Sequence, residues 1–509
     1  MAQSGMAQSG PRGIVIAGGG TAGWMAAAAL SRFLPAGTAI SLVESDAIGT
    51  VGVGEATIPQ IRLFNHNLGI DENELLAQCA GTIKLGIEFD GWSGEGSRYI
   101  HAFGTFGRAL GVVPFHHYWL RAAQAGASEG LWDYSVAAVA AAQNRFAPDS
   151  GTARLPSGLA WAYQFDASRY AALLRRHATS RGVERIEGRI TSVESGDDGS
   201  ITALTLEDGR SVTGDFFIDC TGFRALLIGE ALGVGYDDWR QWLPCDRAMA
   251  VQSSGDGALA PYTRAIAREA GWQWRIPLQH RTGNGLVWCS DYGDEAQAHD
   301  TLLAHIDGTP ITEPRTMAFM TGRRRSAWAT NCVALGLAAG FLEPLESTSI
   351  HLIQSGIARL VNLFPHHEPS EAGIAEYNRQ TAREWEAVRE FLILHYHANG
   401  RDEPFWRDYR KRTIPDALAH RIELFRETGR IFREGDELFT EIGWLQVMIG
   451  QGIVPDAYHP IADAASDDEL SEFLALARQQ VRDTAARMPA HADYLRRHAP
   501  AAEPIGAMP

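Results

Sequence analysis

The 509 residues are 45% apolar and 21% charged, an ordinary globular balance that allows one large or two to three smaller domains around a sizeable core. A formal net charge of -16 argues against nucleic acid and anionic membrane surfaces, which call for clustered Lys and Arg; the one tight basic run, Arg323 to Arg325, reads as a solvated turn. Five scattered cysteines without CxxC spacing signal neither a zinc site nor a redox pair and fit a reducing cytoplasm, and neither a signal peptide nor an apolar run of about 18 residues occurs.

Ile14 to Ala17 has the pattern of a short buried strand. It runs into Gly18-Gly19-Gly20-Thr21-Ala22-Gly23 and an Ala-rich helix to about Phe33, and Ala39 to Glu44 reads as the next strand. In this β-α-β opening Gly18 permits a tight turn, Gly20 lets backbone approach a pyrophosphate, and Gly23 lets the helix pack close to the strand. The helix start at Thr21 and Ala22 offers N–H groups and the positive end of a dipole. Glu44, 21 residues after Gly23, stands where an acid accepts hydrogen bonds from a ribose. Strand, loop, helix, strand and terminal acid agree, which makes the motif more specific than a lone GxGxxG.

Residues 70–80 look helical, and 82–90 alternate as one strand. Ile83, Leu85, Ile87 and Phe89 share one face of it, and Lys84, Gly86, Glu88 and Asp90 the other. Spacing alone makes Lys84 an exposed strand lysine paired with Glu88. Asp166 to His177 has helical spacing. Residues 186–219 read as short strands with a turn at Asp197-Asp198-Gly199, and 272–290 and 312–335 add further strands. The small-residue turns Ile218–Gly222 and Leu335–Gly340 resemble those around the flavin in aromatic hydroxylases. No second GxGxxG marks a nicotinamide domain. From Ile350 the chain turns helical, with Ile350, Ile353, Ile357 and Leu360 on one face and Pro344 blocking an earlier start. Thr348 and Ser349 fall where this helix begins. The pairs His116-His117, His366-His367 and His395-x-His397 lack the Cys or acid that would complete a metal site.

Four segments, in order, resemble the flavin-dependent tryptophan halogenases. Val51-Gly52-Val53-Gly54-Glu55-Ala56-Thr57-Ile58-Pro59 is similar to the family's GVGExTxP loop, and Lys84-Leu85-Gly86-Ile87-Glu88-Phe89 to its lysine segment. Trp272-Gln273-Trp274-Arg275-Ile276-Pro277 is similar to WxWxIP, and Phe341 to Thr348 to FLEPLEST. Beyond about residue 350 the likeness is loose, resting on Trp444 and Gly450-Gln451-Gly452. The resemblance implies an α/β fold. A Rossmann-like FAD-binding core and a mixed β-sheet substrate layer would span 11–365, and a mainly helical capping subdomain 366–499. Residues 1–10 and 500–509 are expected to be disordered.

The implied chemistry uses FAD, reduced by a separate flavin reductase, with oxygen and a halide ion to make hypohalous acid. Lys84 would guide that acid, as a hydrogen-bond donor or as a haloamine. Glu346 would orient it or take the ring proton; an acid near a helix start is also favoured by the dipole alone. Cofactor contacts fall on Gly18, Gly20, Thr21, Ala22, Gly23, Glu44, Val53, Gly54, Glu55, Ala56, Gly336 and Leu345. Thr348 and Ser349 would hold the halide, unless Ser347 or Ser349 merely caps the helix. The family usually has Gly at the position of Ser349, so bromide against chloride stays open. Trp272, Trp274, Ile276 and Pro277 would wall flavin from substrate, although an aromatic core stripe looks the same. His101, Phe103 and Trp444 would stack on the substrate ring; Phe103 and Trp444 read equally well as core. Residues 437–451 lack the Tyr pair of tryptophan-specific members, which favours indole or another small indole-like aromatic over free tryptophan. A flavin monooxygenase that hydroxylates the ring directly and a non-catalytic flavin-binding scaffold are the rival readings. A cytoplasmic enzyme is expected, and a homodimer stays open.

Overall fold

The computed structural model describes residues 13–48, 54–127, 129–148, 158–255, 257–366 and 368–502. The strand Gly13–Ala17 lies inside a six-stranded sheet, between Ala39–Glu44 and Phe216–Asp219. Glu184–Glu187 and Cys332–Ala334 extend the sheet in parallel, and Trp328–Ala329 closes one edge antiparallel. Strands covered on both faces read as unbroken apolar runs, which is why GIVIA shows no alternation. The helix Thr21–Phe33 is buried from Gly23 to Leu30. Its run of alanines lets it sit between the sheet and the helices Ala167–Thr179 and Ser349–Asn362 without steric conflict. This is the expected Rossmann-like core.

A mixed seven-stranded sheet forms the second layer. Its order is Arg315–Ala318, Arg247–Ser253, Thr282–Trp288, Gly271–Pro277, Thr263–Arg268, Gly86–Asp90 and Arg98–Ala102. Only the pair Thr263–Arg268 and Gly86–Asp90 is parallel. The structure corrects the expectation of a single strand over 82–90. Thr82–Lys84 pairs with Ala162–Phe165 in a small separate sheet, Leu85 is the corner, and Gly86–Asp90 enters the large sheet. Gly86 lets this second strand close on Arg98–Ala102, because any Cβ there would collide with the backbone of His101 and Ala102. Both faces of the lysine segment are covered as a result, and the expected exposed Lys84 is wholly buried. Glu88 pairs instead with Arg264, at 2.8 Å.

The C-terminal region is helical, led by the 27-residue helix Glu371–His397 and followed by Glu441–Gly450, Asp467–Ala486 and His491–His498. One apolar cluster runs through sheets and helices alike, from Ile14 to Ala499. The tail, expected to be disordered from Pro500, is anchored at its start: Ala501 N–H donates to Gln279 Oε1 and Ala502 N–H to the Ala77 carbonyl. All five cysteines are buried and free. Among the described residues no helix is long and apolar enough to cross a membrane, and no group of His, Cys, Asp and Glu could hold a metal ion.

Candidate active site

The glycine motif builds a cradle from backbone alone. Gly18 has φ +103°, a conformation that L side chains rarely adopt, and its Cα faces the Cys220 carbonyl too closely for a Cβ. A Cβ on Gly23 would strike the Gly18 carbonyl, so the helix approaches the strand only because Gly23 lacks one. Gly20 has no neighbour within 4 Å of where its Cβ would stand. It caps the helix Thr21–Phe33 without a side-chain hydrogen bond, so the first-turn N–H groups at Thr21 and Ala22 face open space. That space suits a pyrophosphate. Glu44 is held there by Trp24 Nε1 at 3.2 Å and Arg185 Nε at 2.5 Å; a carboxylate accepts about four hydrogen bonds, so ribose hydroxyls still find acceptors. Gly336, at φ +62°, packs its turn against Ala22. Leu345 is buried. Gly54, at φ +116°, approaches Ile276, so the flavin-side loop meets the tryptophan strand. Ala56 is buried, and burial pushes the Glu55 carboxyl up to about 7. Val53 lies outside the described residues.

The second cluster is made of side chains. Lys84 donates from Nζ to Ser347 Oγ at 2.6 Å, and Nζ stands 5.5 Å from the Phe103 ring. Burial pulls its ammonium down to about 7, although the nearby Glu346 charge pulls the other way. Near neutral pH, amine and ammonium are therefore both populated. Glu346 is buried between two histidines. His101 Nδ1 is 2.8 Å from Oε2, and His395 Nε2 is 2.9 Å from Oε1 but off the hydrogen-bond axis. Burial opposes its ionisation, but the two imidazoles outweigh burial and hold the carboxyl down at about 2. His395 Nδ1 faces the Phe391 carbonyl at 2.9 Å; a carbonyl only accepts, so that nitrogen carries a proton. Ser347, which receives Lys84, sits at φ +58° between the turn Pro344–Glu346 and the helix Ser349–Asn362.

Helix capping by Ser347 or Ser349 is not what the structure has. Thr348 is the N-cap and makes no side-chain cap bond, and its Oγ1 is buried without a partner. An unpartnered hydroxyl at a helix N-terminus is a site for an anion.

A pocket of about 110 Å³ opens over Glu346, lined by Ile58, Pro59, His101, Phe103, Phe439 and Gly443 among others. Among the described residues Glu346 is its only acid, and no Lys or Arg lines it. Trp444 is not one of its walls, which corrects the expected stacking plate. It is packed edge-on against Phe391 and under the Arg421 guanidinium, at 4.1 Å. The ring that faces the pocket on that side is Phe439, stacked on Phe391 at 3.7 Å. Trp272, Trp274 and Ile276 are buried along one strand that ends at Pro277, the two indoles 6.1 Å apart, and Trp272 Nε1 donates to Glu343 Oε2 at 2.9 Å.

The profile of the tryptophan halogenase family matches residues 13–467. The chain belongs to the tryptophan halogenase family. It is a flavin-dependent halogenase, and its relatives agree along nearly all of it. The tryptophan 6-halogenase SttH of Streptomyces toxytricini is 34% identical over 95% of this chain and 98% of its own. The flavin-dependent halogenase Xcc4156 of Xanthomonas campestris superposes with a TM-score of 0.94 at 52% identity, covering 97% of this chain and 99% of that one. BrvH, a flavin-dependent halogenase from Brevundimonas sp. BAL3, gives 0.93 at 47%, covering 96% and 99%.

Sequence reasoning missed three residues that the fold of this halogenase brings to the cluster. His395 was weighed only as a metal ligand, whereas it flanks Glu346. Ser347 was weighed as a cap, whereas it receives Lys84. Phe439 carried no signal beyond being aromatic, because the 391–439 ring stack exists only after the helix Glu371–His397 meets the distant loop that precedes Glu441–Gly450.

Proposed function

We propose that this halogenase uses FAD, reduced by a separate flavin reductase, to place bromine or chlorine on a small, electron-rich, uncharged aromatic such as indole. The glycine cradle supports FAD, with Gly18, Gly20, Gly23, Thr21, Ala22 and Glu44 on the nucleotide and Gly54, Glu55, Ala56, Gly336 and Leu345 around the ring system. Bound reduced flavin, with oxygen and halide, supplies hypohalous acid. Thr348 Oγ1 and the free N–H groups at Ser349 hold the halide. The strand of Trp272 and Trp274, ending in Ile276 and Pro277, keeps substrate from the flavin.

The reading rests on a buried amine, whose ammonium burial pulls down to about 7, near a buried, histidine-flanked carboxylate that lines an aromatic pocket. The amine lone pair of Lys84 takes the halogen from hypohalous acid and releases water. Glu346 accepts the proton that the ring loses when aromaticity returns. Phe103 and Phe439 face the substrate ring. Among the described residues no cation lines the pocket to meet a free carboxylate, which supports indole over tryptophan. Its volume is of the same order as a cavity of about 150 Å³ that takes benzene, which suits a small ring system.

The test supplies FAD, a generic flavin reductase, NADH, oxygen, catalase and indole, with bromide or chloride in separate runs. Mass spectrometry should find a halogen isotope doublet that Lys84→Ala removes while flavin binding persists. Hydroxylated indole, or a doublet that survives Lys84→Ala, would defeat the mechanism. Tryptophan halogenated at a higher kcat/KM than indole would defeat the substrate reading.

A further inference from the structure

The backbone on both sides of Lys84 is tied to one short segment, residues 259–261. Leu85 donates its N–H to the Pro261 carbonyl at 2.7 Å. Ile83 is tied less directly. Its N–H donates to Nε2 of His491 at 3.2 Å, and Nδ1 of that ring lies 2.7 Å from the Leu259 carbonyl. A carbonyl only accepts, so Nδ1 carries the proton and Nε2 offers its lone pair. The imidazole is thus a neutral spacer of one defined tautomer between the lysine strand and residue 259. It has no exposed surface, and burial holds it down at about 4, so the neutral form is kept at working pH.

The need for such a spacer follows from the sheet. Among the described residues Thr82–Lys84 has one ladder partner, Ala162–Phe165, and no strand on its other edge. A buried N–H on that edge requires a partner from elsewhere. The first residue of the helix His491–His498 provides it, and that residue is itself fixed through its N–H to the Asn144 carbonyl at 2.8 Å. The chain that follows stays on the same ground. Gln279 Nε2 donates to the carbonyls of Gly81 at 2.7 Å and Ala499 at 3.0 Å, and Ala502 N–H donates to Ala77. Residues 491–502 therefore strap the segment 77–84, although they lie beyond residue 467, where the family match ends.

We infer that His491 is a positioning residue for halogenation: by holding Ile83 it fixes where the Lys84 amine stands relative to Ser347 and Glu346. This rests on Lys84 being the residue that guides the halogen. A shift of about 1 Å in a reacting group costs on the order of 100-fold in rate, so the imidazole acts on kcat without touching substrate or flavin.

The experiment compares His491→Leu and His491→Gln in the full-length enzyme, with Lys84→Ala as the reference. Leu fills much of the ring's volume but offers neither donor nor acceptor. The Gln amide keeps one of each. Steady-state halogenation of indole, flavin binding by fluorescence and thermal melting are recorded for each. His491→Leu should lower kcat roughly 10- to 100-fold, leave KM for indole within about twofold, and release hypohalous acid to a probe in solution. His491→Gln should restore kcat to within about fivefold of the parent. A folded His491→Leu enzyme with parental kcat overturns the proposal. So does a Leu variant whose KM rises and whose flavin affinity falls along with kcat, which marks a general structural role. If His491→Leu fails to fold, His491→Phe, which keeps a ring without the two nitrogens, takes its place: a folded, flavin-bound but slow Phe enzyme supports the proposal, and one with parental kcat overturns it. Turnover that survives Lys84→Ala would instead sink the parent reading, so the two failures are distinguishable.

Discussion

The nucleotide cradle and the lysine–carboxylate cluster are built by opposite means. The cradle comes from one stretch, residues 13–44, and works through what is missing: Cβ atoms at Gly18 and Gly23, a side-chain cap at Gly20. What it offers a ligand is backbone N–H groups at an uncapped helix start. The cluster gathers Lys84, His101, Ser347 with Glu346, and His395 from four distant segments and works through what is buried: an amine, a carboxylate and two imidazoles without solvent. In the first region, function needs space and tolerates no added atom. In the second, function needs charge in a dry place, held by neighbours that cost stability. A buried amine destabilises the fold wherever its ordinary form is charged, so the cluster is where activity and stability conflict.

That contrast predicts what substitution does in each region. The largest effect is expected for Lys84→Met. Halogenation should fall at least about 10³-fold while the melting temperature rises. The folded lysine titrates near 7 against an ordinary 10.5, so the unfolded chain binds the extra proton between those values. The wild-type protein therefore recovers stability as pH rises from about 7 to 10.5, and the advantage of Lys84→Met should shrink over that range in calorimetry. For the parent enzyme, kcat should rise with pH through about 7 as the amine is freed. A falling limb would assign the ammonium as the acting form.

Glu346→Gln comes next, with a loss of roughly 10²- to 10³-fold in kcat. It also tests stability with the sign reversed. The Glu346 carboxyl is held near 2 against 4.5, so its contribution is complete above pH 4.5 and disappears as pH falls toward 2. The Gln variant should lack that acid-side loss, and an unchanged acid melting curve would show that the histidine clamp adds nothing. In the cradle, Gly23→Ala should weaken flavin binding at least tenfold and cost about 1–3 kcal/mol, since the new methyl meets the Gly18 carbonyl. Fluorescence titration and urea unfolding read both. The smallest effect belongs to Trp444→Phe. With the indole packed behind Phe391 rather than facing substrate, KM for indole should change less than about twofold. A large rise in KM would return Trp444 to the pocket wall.

The cradle was legible because each of its requirements is local. A glycine needed for a positive φ or a close approach stands at its own position in the motif, and Glu44 follows at fixed spacing. The helix start at Thr348 and Ser349 was legible for the same reason, through Pro344 before it and the apolar period after it. The cluster was legible only through the resemblance. From spacing, Lys84 looked exposed, because the corner at Leu85 leaves no trace in an alternating pattern. Trp444 looked like a stacking plate, because an aromatic residue near a pocket and one a layer behind it have the same sequence signature.

The βαβ cradle, the buried character of the tryptophan strand, the helical C-terminal region and, by likeness of motifs, the halogenase family can all be read from the residues in order. The burial of Lys84, the histidines His101 and His395 on either side of Glu346, the presence of Phe439 rather than Trp444 in the pocket wall, and the reach of His491 back to Ile83 exist only in the folded chain. The physical reason is range. Backbone conformation and periodicity are set by neighbours a few residues apart, whereas desolvation, ring stacking and the sharing of a proton depend on which distant segments meet.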